Sequence, residues 1–233
     1  MLGFKFTRVA AVAALISAAA LSGLARAETK LPTAVDVLFE SKHLTNLKAG
    51  EVAKYRFQRV VSDEKLLGLP FSDDINIAVS KLNPDGTREV TVNVFTGERA
   101  RNPEVVPDLT GNPLLVFFLD RAVNNFSALA GGGSRNYFKG KFRDGLREKS
   151  KIEAVKIDYN GKPVDGWRVT VAPYQNDPNA LRMLGYEGAE FTFLVADALP
   201  GQIGEMVAHY ESGIKDAPKL EERITLAGIG GAK

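Results

Sequence analysis

Hydrophobic residues recur at every second position in several separated stretches, and this pattern limits the fold more than any other feature of the chain. Ala53, Tyr55 and Phe57 share one parity, with Lys54, Arg56 and Gln58 on the other. Ile75, Ile77 and Val79 alternate with Asn76, Ala78 and Ser80, and Val90, Val92 and Val94 alternate with Glu89, Thr91 and Asn93. Trp167, Val169 and Val171 repeat the pattern, as do Phe191, Phe193 and Val195. Strands with one apolar and one polar face suit an antiparallel sheet covered on one side, whereas a parallel sheet buried on both sides needs continuous apolar runs. Asn83-Pro84-Asp85-Gly86 predicts a turn joining the second and third strands. The stretch from Gly161 to Asp165 predicts the loop of a second hairpin, between Ile152–Tyr159 and Gly166–Ala172. Apolar parity switches after Ala154, as it would at a bulge or at a misplaced strand boundary. Further strands are expected from Ile203 to Tyr210 and from Glu221 to Leu226.

The period changes in mid-chain. Residues 101–111 hold Pro103 and Pro107 and read as a loop. Asn112 can cap a helix with Pro113 in its first turn, where a missing N–H is no loss. Leu115, Phe118, Leu119, Ala122, Phe126 and Leu129 then recur at threes and fours. Three glycines, Gly131 to Gly133, end that helix. A second helix is predicted from Ser134 to Lys149, with Phe138, Phe142 and Leu146 four apart, and Gly145 weakens it by about 1 kcal/mol relative to Ala. Pro32 to Leu47 holds at most a short helix. The expected class is α+β, an antiparallel sheet with a helical insert at about 112–149.

The N-terminus reads as an export signal. Lys5 and Arg8 precede an apolar run from Val9 to Gly23, and Leu24-Ala25-Arg26-Ala27 ends in a small-x-small cleavage site. The run is about 15 residues, short of the roughly 20 that cross a bilayer. No Cys follows the site, which excludes a lipidated N-terminal Cys. Residues 1–27 are therefore expected to be a cleavable signal peptide. Residues 28–233 are then a single periplasmic or otherwise exported domain, soluble after cleavage. Removing Lys5, Arg8 and Arg26 lowers the basic count from 30 to 27 against 28 acidic residues, so the formal charge falls from +2 to −1. That near-neutral balance argues against a nucleic-acid partner.

Composition removes much chemistry. With no Cys and two His, His43 and His209, the chain lacks the ligands of usual zinc sites and any thiol nucleophile. No G-x-S-x-G elbow accompanies a serine, and Ser134 after three glycines reads as a helix cap. Asp73-Asp74 and Glu221-Glu222 are adjacent acids read as solvent-facing, without the opposed placement of glycosidase carboxylates. No catalytic residue, metal site or cofactor is expected.

One positive feature remains. Arg135, Lys139, Lys141, Arg143, Arg147 and Lys149 crowd the second helix beside its aromatic stripe. Such a helix either meets an anionic membrane surface, lipid headgroup or acidic envelope partner, or packs its aromatics on the sheet with its cations solvated.

The order of strands before the insert (Lys54–Val60, Asp74–Ser80, Arg88–Phe95) and after it (Ile152–Tyr159, Gly166–Ala172, Glu190–Ala196) resembles the periplasmic lipoprotein carriers and related uncharacterised secreted proteins. The phrase from Phe191 to Gly201, ending Ala-Asp-Ala-Leu-Pro-Gly, is similar to a strand-and-turn phrase of the latter. The resemblance spans about Val52 to Tyr210 and implies a strongly curved antiparallel sheet, or half-barrel, with a two-helix insert. It also implies an acyl-chain site, for which Tyr55, Phe57, Val92, Trp167, Phe191 and Phe193 are candidates, with Phe118 and Phe142 covering the opening. The same side chains could instead close a core. The expected function is noncatalytic binding of a lipid or other apolar ligand. The alternatives are a structural or protein-interaction component of the envelope and, third, an unrecognised enzyme.

Overall fold

The alternating stretches form strands, and their pairing is more extensive than the pattern alone suggests. The structure, a computed structural model, describes residues 31–231; the expected signal peptide lies outside them. The strands are β1 (Glu51–Val61), β2 (Phe71–Leu82), β3 (Arg88–Val94), β4 (Glu104–Leu109), β5 (Lys151–Tyr159), β6 (Lys162–Val171), β7 (Glu190–Val195), β8 (Ile203–Tyr210) and β9 (Leu220–Gly231). One short helix, α1 (Glu64–Leu67), follows β1, and the insert consists of α2 (Leu114–Leu129) and α3 (Arg135–Glu148).

All nine strands join one sheet in the order β4-β3-β2-β1-β9-β8-β7-β6-β5, with every neighbour antiparallel. Two meanders therefore meet where β1 pairs with β9, from Glu51↔Gly231 to Val61↔Leu220. This pairing carries β9 well past the expected Leu226. The insert runs from β4, one edge, to β5, the other.

Those two edges correct the expected shape. The sheet is open and not curled: β4 pairs only with β3 and β5 only with β6, so no strongly curved sheet or half-barrel forms. The resemblance to lipoprotein carriers rested on that shape and loses its support. Helical side chains fill the space that a curled sheet would have enclosed. The Phe118 ring meets Phe193 edge-on at 5.4 Å, Phe142 tilts against Phe191 at 4.6 Å, and Phe126 stacks on Tyr174 at 3.8 Å.

Local signals explain most element ends. Asn112 Oδ1 accepts the Leu114 N–H at 3.0 Å, and Ser134 Oγ accepts that of Tyr137, so both expected caps are made. Gly145 has a packing reason. A Cβ there would lie 2.9 Å from Pro173 Cα, so the helix can approach the loop after β6 only without a side chain. The stretch read as a loop at 101–111 contains β4, because a sheet edge tolerates Pro107, which falls at the register shift between the Val90↔Val106 and Arg88↔Leu109 pairs and has no ladder partner. Asn160-Gly161 alone turns the β5–β6 hairpin, and the pairing runs unbroken from Lys151↔Thr170 to Tyr159↔Lys162. No bulge exists at Ala154. One face of this edge strand (Glu153, Val155, Ile157, Tyr159) is half-buried and the other (Ala154, Lys156, Asp158) is exposed. Ala154 is therefore an apolar residue on the wet face, and the parity switch does not mark a bulge.

Candidate functional site

The residues proposed to line an acyl-chain site lie mostly inside the core. Tyr55, Phe57, Phe191 and Phe193 are at most 1% exposed, and Val92, Phe118 and Phe142 are also buried. Trp167 is half-buried and borders a separate recess of about 460 Å³ with Val195 and Asp197. Tyr55 has a structural role: its hydroxyl donates to the Pro200 carbonyl at 3.3 Å and accepts from Asn112 Nδ2 at 3.0 Å. Burial pushes its pKa far up, so the hydroxyl stays protonated.

An open apolar surface lies on the outer side of the helices. A groove of about 420 Å³ runs between α2, α3 and the wide helical turn Asp36–Glu40. Val116, Leu119 and Val123 line it from α2, Phe142 and Leu146 from α3, and Phe39 from the turn. Val116 is 65% exposed and Phe39 44%, so the groove brings two exposed large apolar side chains into one surface. Lys139, Arg143 and Arg147 rim the groove.

The expected basic surface is thereby divided. Lys139 pairs with Asp120 at 2.7 Å, and Arg143 pairs with its neighbour Asp144 at 3.3 Å. Arg147 forms no ion pair with a described residue, and neither does Arg135, which lies away from the groove lining. Lys141 faces the loop after β6, where its Nζ is 3.2 Å from Asp177 Oδ2. Lys149 Nζ donates to the Gln175 carbonyl at 2.9 Å. These last two cations fasten α3 to that loop and are not available to a partner. Burial opposes ionisation of Asp177, but donation from the Tyr137 hydroxyl at 2.6 Å, the Asn179 N–H and Lys141 outweighs it and holds the carboxyl below its usual pKa.

Polar residues missed in the sequence hold the groove's walls. His43 is fully buried, its Nε2 donating to the Val37 carbonyl at 2.9 Å while Nδ1 accepts the Asn112 N–H at 3.3 Å. It thus joins the turn that forms one wall to the start of the helix that forms another. Both nitrogens are satisfied only in the neutral ring, and burial lowers the pKa despite the Val37 carbonyl and the Asp197 carboxylate.

Two acids read as solvent-facing are also buried. Glu222 is 2% exposed and sits across from Arg59 in the β1–β9 ladder, where it accepts from Arg59 Nη1 and from Arg121 of α2. Asp73 is 6% exposed; burial opposes its ionisation, yet the Thr96 hydroxyl and N–H and the Asp74 N–H keep its pKa low. Glu222 shares the inward parity of Leu220 and Ile224, a clue that its charge conceals.

No group of three or more His, Cys, Asp or Glu side chains among the described residues is arranged to hold a metal ion. No described helix is long and apolar enough to cross a membrane. The chain matches no known family model and no curated protein.

Proposed function

We propose that this is an exported, noncatalytic binding protein whose ligand is an anionic amphiphile, an acyl chain ending in a carboxylate or phosphate. The supporting observation is the outer groove itself, an open apolar floor with cations along one rim. Its volume falls within the roughly 300–1,000 Å³ typical of small-molecule sites. An acyl chain laid over Val116, Leu119 and Phe39 removes from water a surface the fold leaves wet, at about 25 cal/mol per Å². The anionic head then meets Arg147 and the Nη groups of Arg143, whose Nε is paired with Asp144, while the Lys139 ammonium is engaged by Asp120. Glu40 borders the same groove and disfavours a ligand whose negative charge lies at that end.

Native mass spectrometry of the protein extracted from its producing cells tests this, followed by titration of the delipidated protein with palmitate. The expected result is a stoichiometric lipid released on denaturation and saturable palmitate binding. Val116→Glu should weaken that binding by about tenfold or more, because it places a carboxylate on the apolar floor. A ligand-free native protein that also fails to take up palmitate would refute the proposal.

A further inference from the structure

The opposite flank of α2 carries a different kind of recess. It is about 640 Å³ in volume and lies between α2 and the β3–β4 edge of the sheet. Two guanidiniums reach it, Arg121 from α2 and Arg101 from the segment before β4. Both stack on the ring of Phe117, with Cζ at 5.7 Å and 5.5 Å from its centroid. Arg121 also lies 4.9 Å from the Phe57 centroid. Stacking on rings fixes the planes of both forks and holds them weakly hydrated.

The charge around these forks is unbalanced. Glu222 alone compensates Arg59 and Arg121, taking Arg121 through Nε and Nη2 and leaving Nη1 without a partner among the described residues. Arg101 forms no ion pair with a described residue. Two acids also border the recess: Asp120 is drawn to Lys139, and Glu104 stands exposed on the edge strand. Asn102 and Asn124 add neutral amides to the lining.

We propose that this recess is a second ligand site, which takes an organic anion by its carboxylate or phosphate group. Two forks with free N–H groups match the paired oxygens of such a head. Val94, Val106 and Phe117 offer apolar contact to the body behind it, and the volume exceeds what a bare ion fills. The recess meets the groove at Val116 and Asp120, which border both, but Arg101 and Arg121 line only the recess, and it does not depend on that groove binding lipid.

Isothermal titration with phenyl phosphate, benzoate and inorganic phosphate tests the site, using the wild type, Arg101→Gln and Arg143→Gln. Arg101 is exposed, so its replacement should leave the unfolding temperature unchanged. The expected result is saturable binding of phenyl phosphate or benzoate, weakened on the order of tenfold in Arg101→Gln by loss of a charge-assisted contact and unaltered in Arg143→Gln. The proposal is overturned if neither organic anion binds, or if Arg101→Gln binds as the wild type does. It is also overturned if Arg143→Gln shows the loss, which would move the binding to the other groove. Inorganic phosphate binding as tightly as phenyl phosphate would reject the organic body.

Discussion

The inner and outer sides of α2 and α3 are both apolar, yet only the inner side is filled. Facing the sheet, Phe118, Phe126, Phe138 and Phe142 interlock with Phe191, Phe193 and Tyr174, and each is at most 5% exposed. Facing outward, Val116 and Phe39 remain largely exposed around a groove edged by cations. Phe142 belongs to both, packing on Phe191 while its remaining surface lines the groove. Hydrophobicity therefore does not distinguish a core from a site in this chain. What distinguishes them is whether another element of the fold arrives to cover the surface.

The sharpest way to break this comparison is to place a charge on the inner side. The Phe138 ring is 5% exposed and lies 4.9 Å from Phe126 and 5.6 Å from Tyr174, in an aromatic surrounding. Phe138→Asp should cost more than about 3 kcal/mol, combining lost packing with an unpaired buried carboxylate. Urea unfolding followed by circular dichroism measures it. An unchanged midpoint would mean that α3 does not seal the interior.

A smaller effect sharpens the boundary between the two sides, where His43 joins the groove's wall to α2. Its folded pKa lies below the unfolded value of about 6.5, chiefly through burial, so the unfolded chain takes up the proton first. Stability should be complete above about pH 6.5 and decline as pH falls through the lowered folded pKa. Asp73 and Asp177 also have lowered pKa values, but their stability is lost only in the carboxylate range, below about pH 4. Denaturation midpoints measured from pH 8 to pH 5 should fall in the wild type and stay flat in His43→Gln. A slope retained by the variant would assign the effect to another group.

The sequence made the strands legible because each presents one face to the helices, and period two is the direct imprint of that arrangement. It also revealed both helices and their caps, which depend on residues close along the chain, Asn112 and Ser134 among them. The union of β1 with β9 joins segments at opposite ends of the described chain and leaves no local trace. Openness was equally invisible, because it is a property of the two edge strands and of the rings that fill the interior. β4 was concealed by Pro107, and Glu222 by its own charge. The cationic half of the groove was visible as a run of Arg and Lys, but its apolar floor was not. Val116 and Leu119 carry the same pattern as core residues, and Phe39 comes from a stretch with no clear period.

The smallest expected effect is the most diagnostic of the outer surface. Val116 and Phe118 are two positions apart on α2, one 65% exposed and the other 3%. Val116→Glu alters a side chain that is mostly in water and leaves its charge there, so its unfolding free energy should stay within about 0.5 kcal/mol of the wild type. The same substitution is expected to disable palmitate binding. A variant that keeps its stability and loses its ligand would identify the exposed valine as part of a site and not as uncovered core. If stability falls by 2 kcal/mol or more, an effect of the size expected for buried positions, the outer groove is already closed in solution. The difference between the two sides of the helices would then disappear.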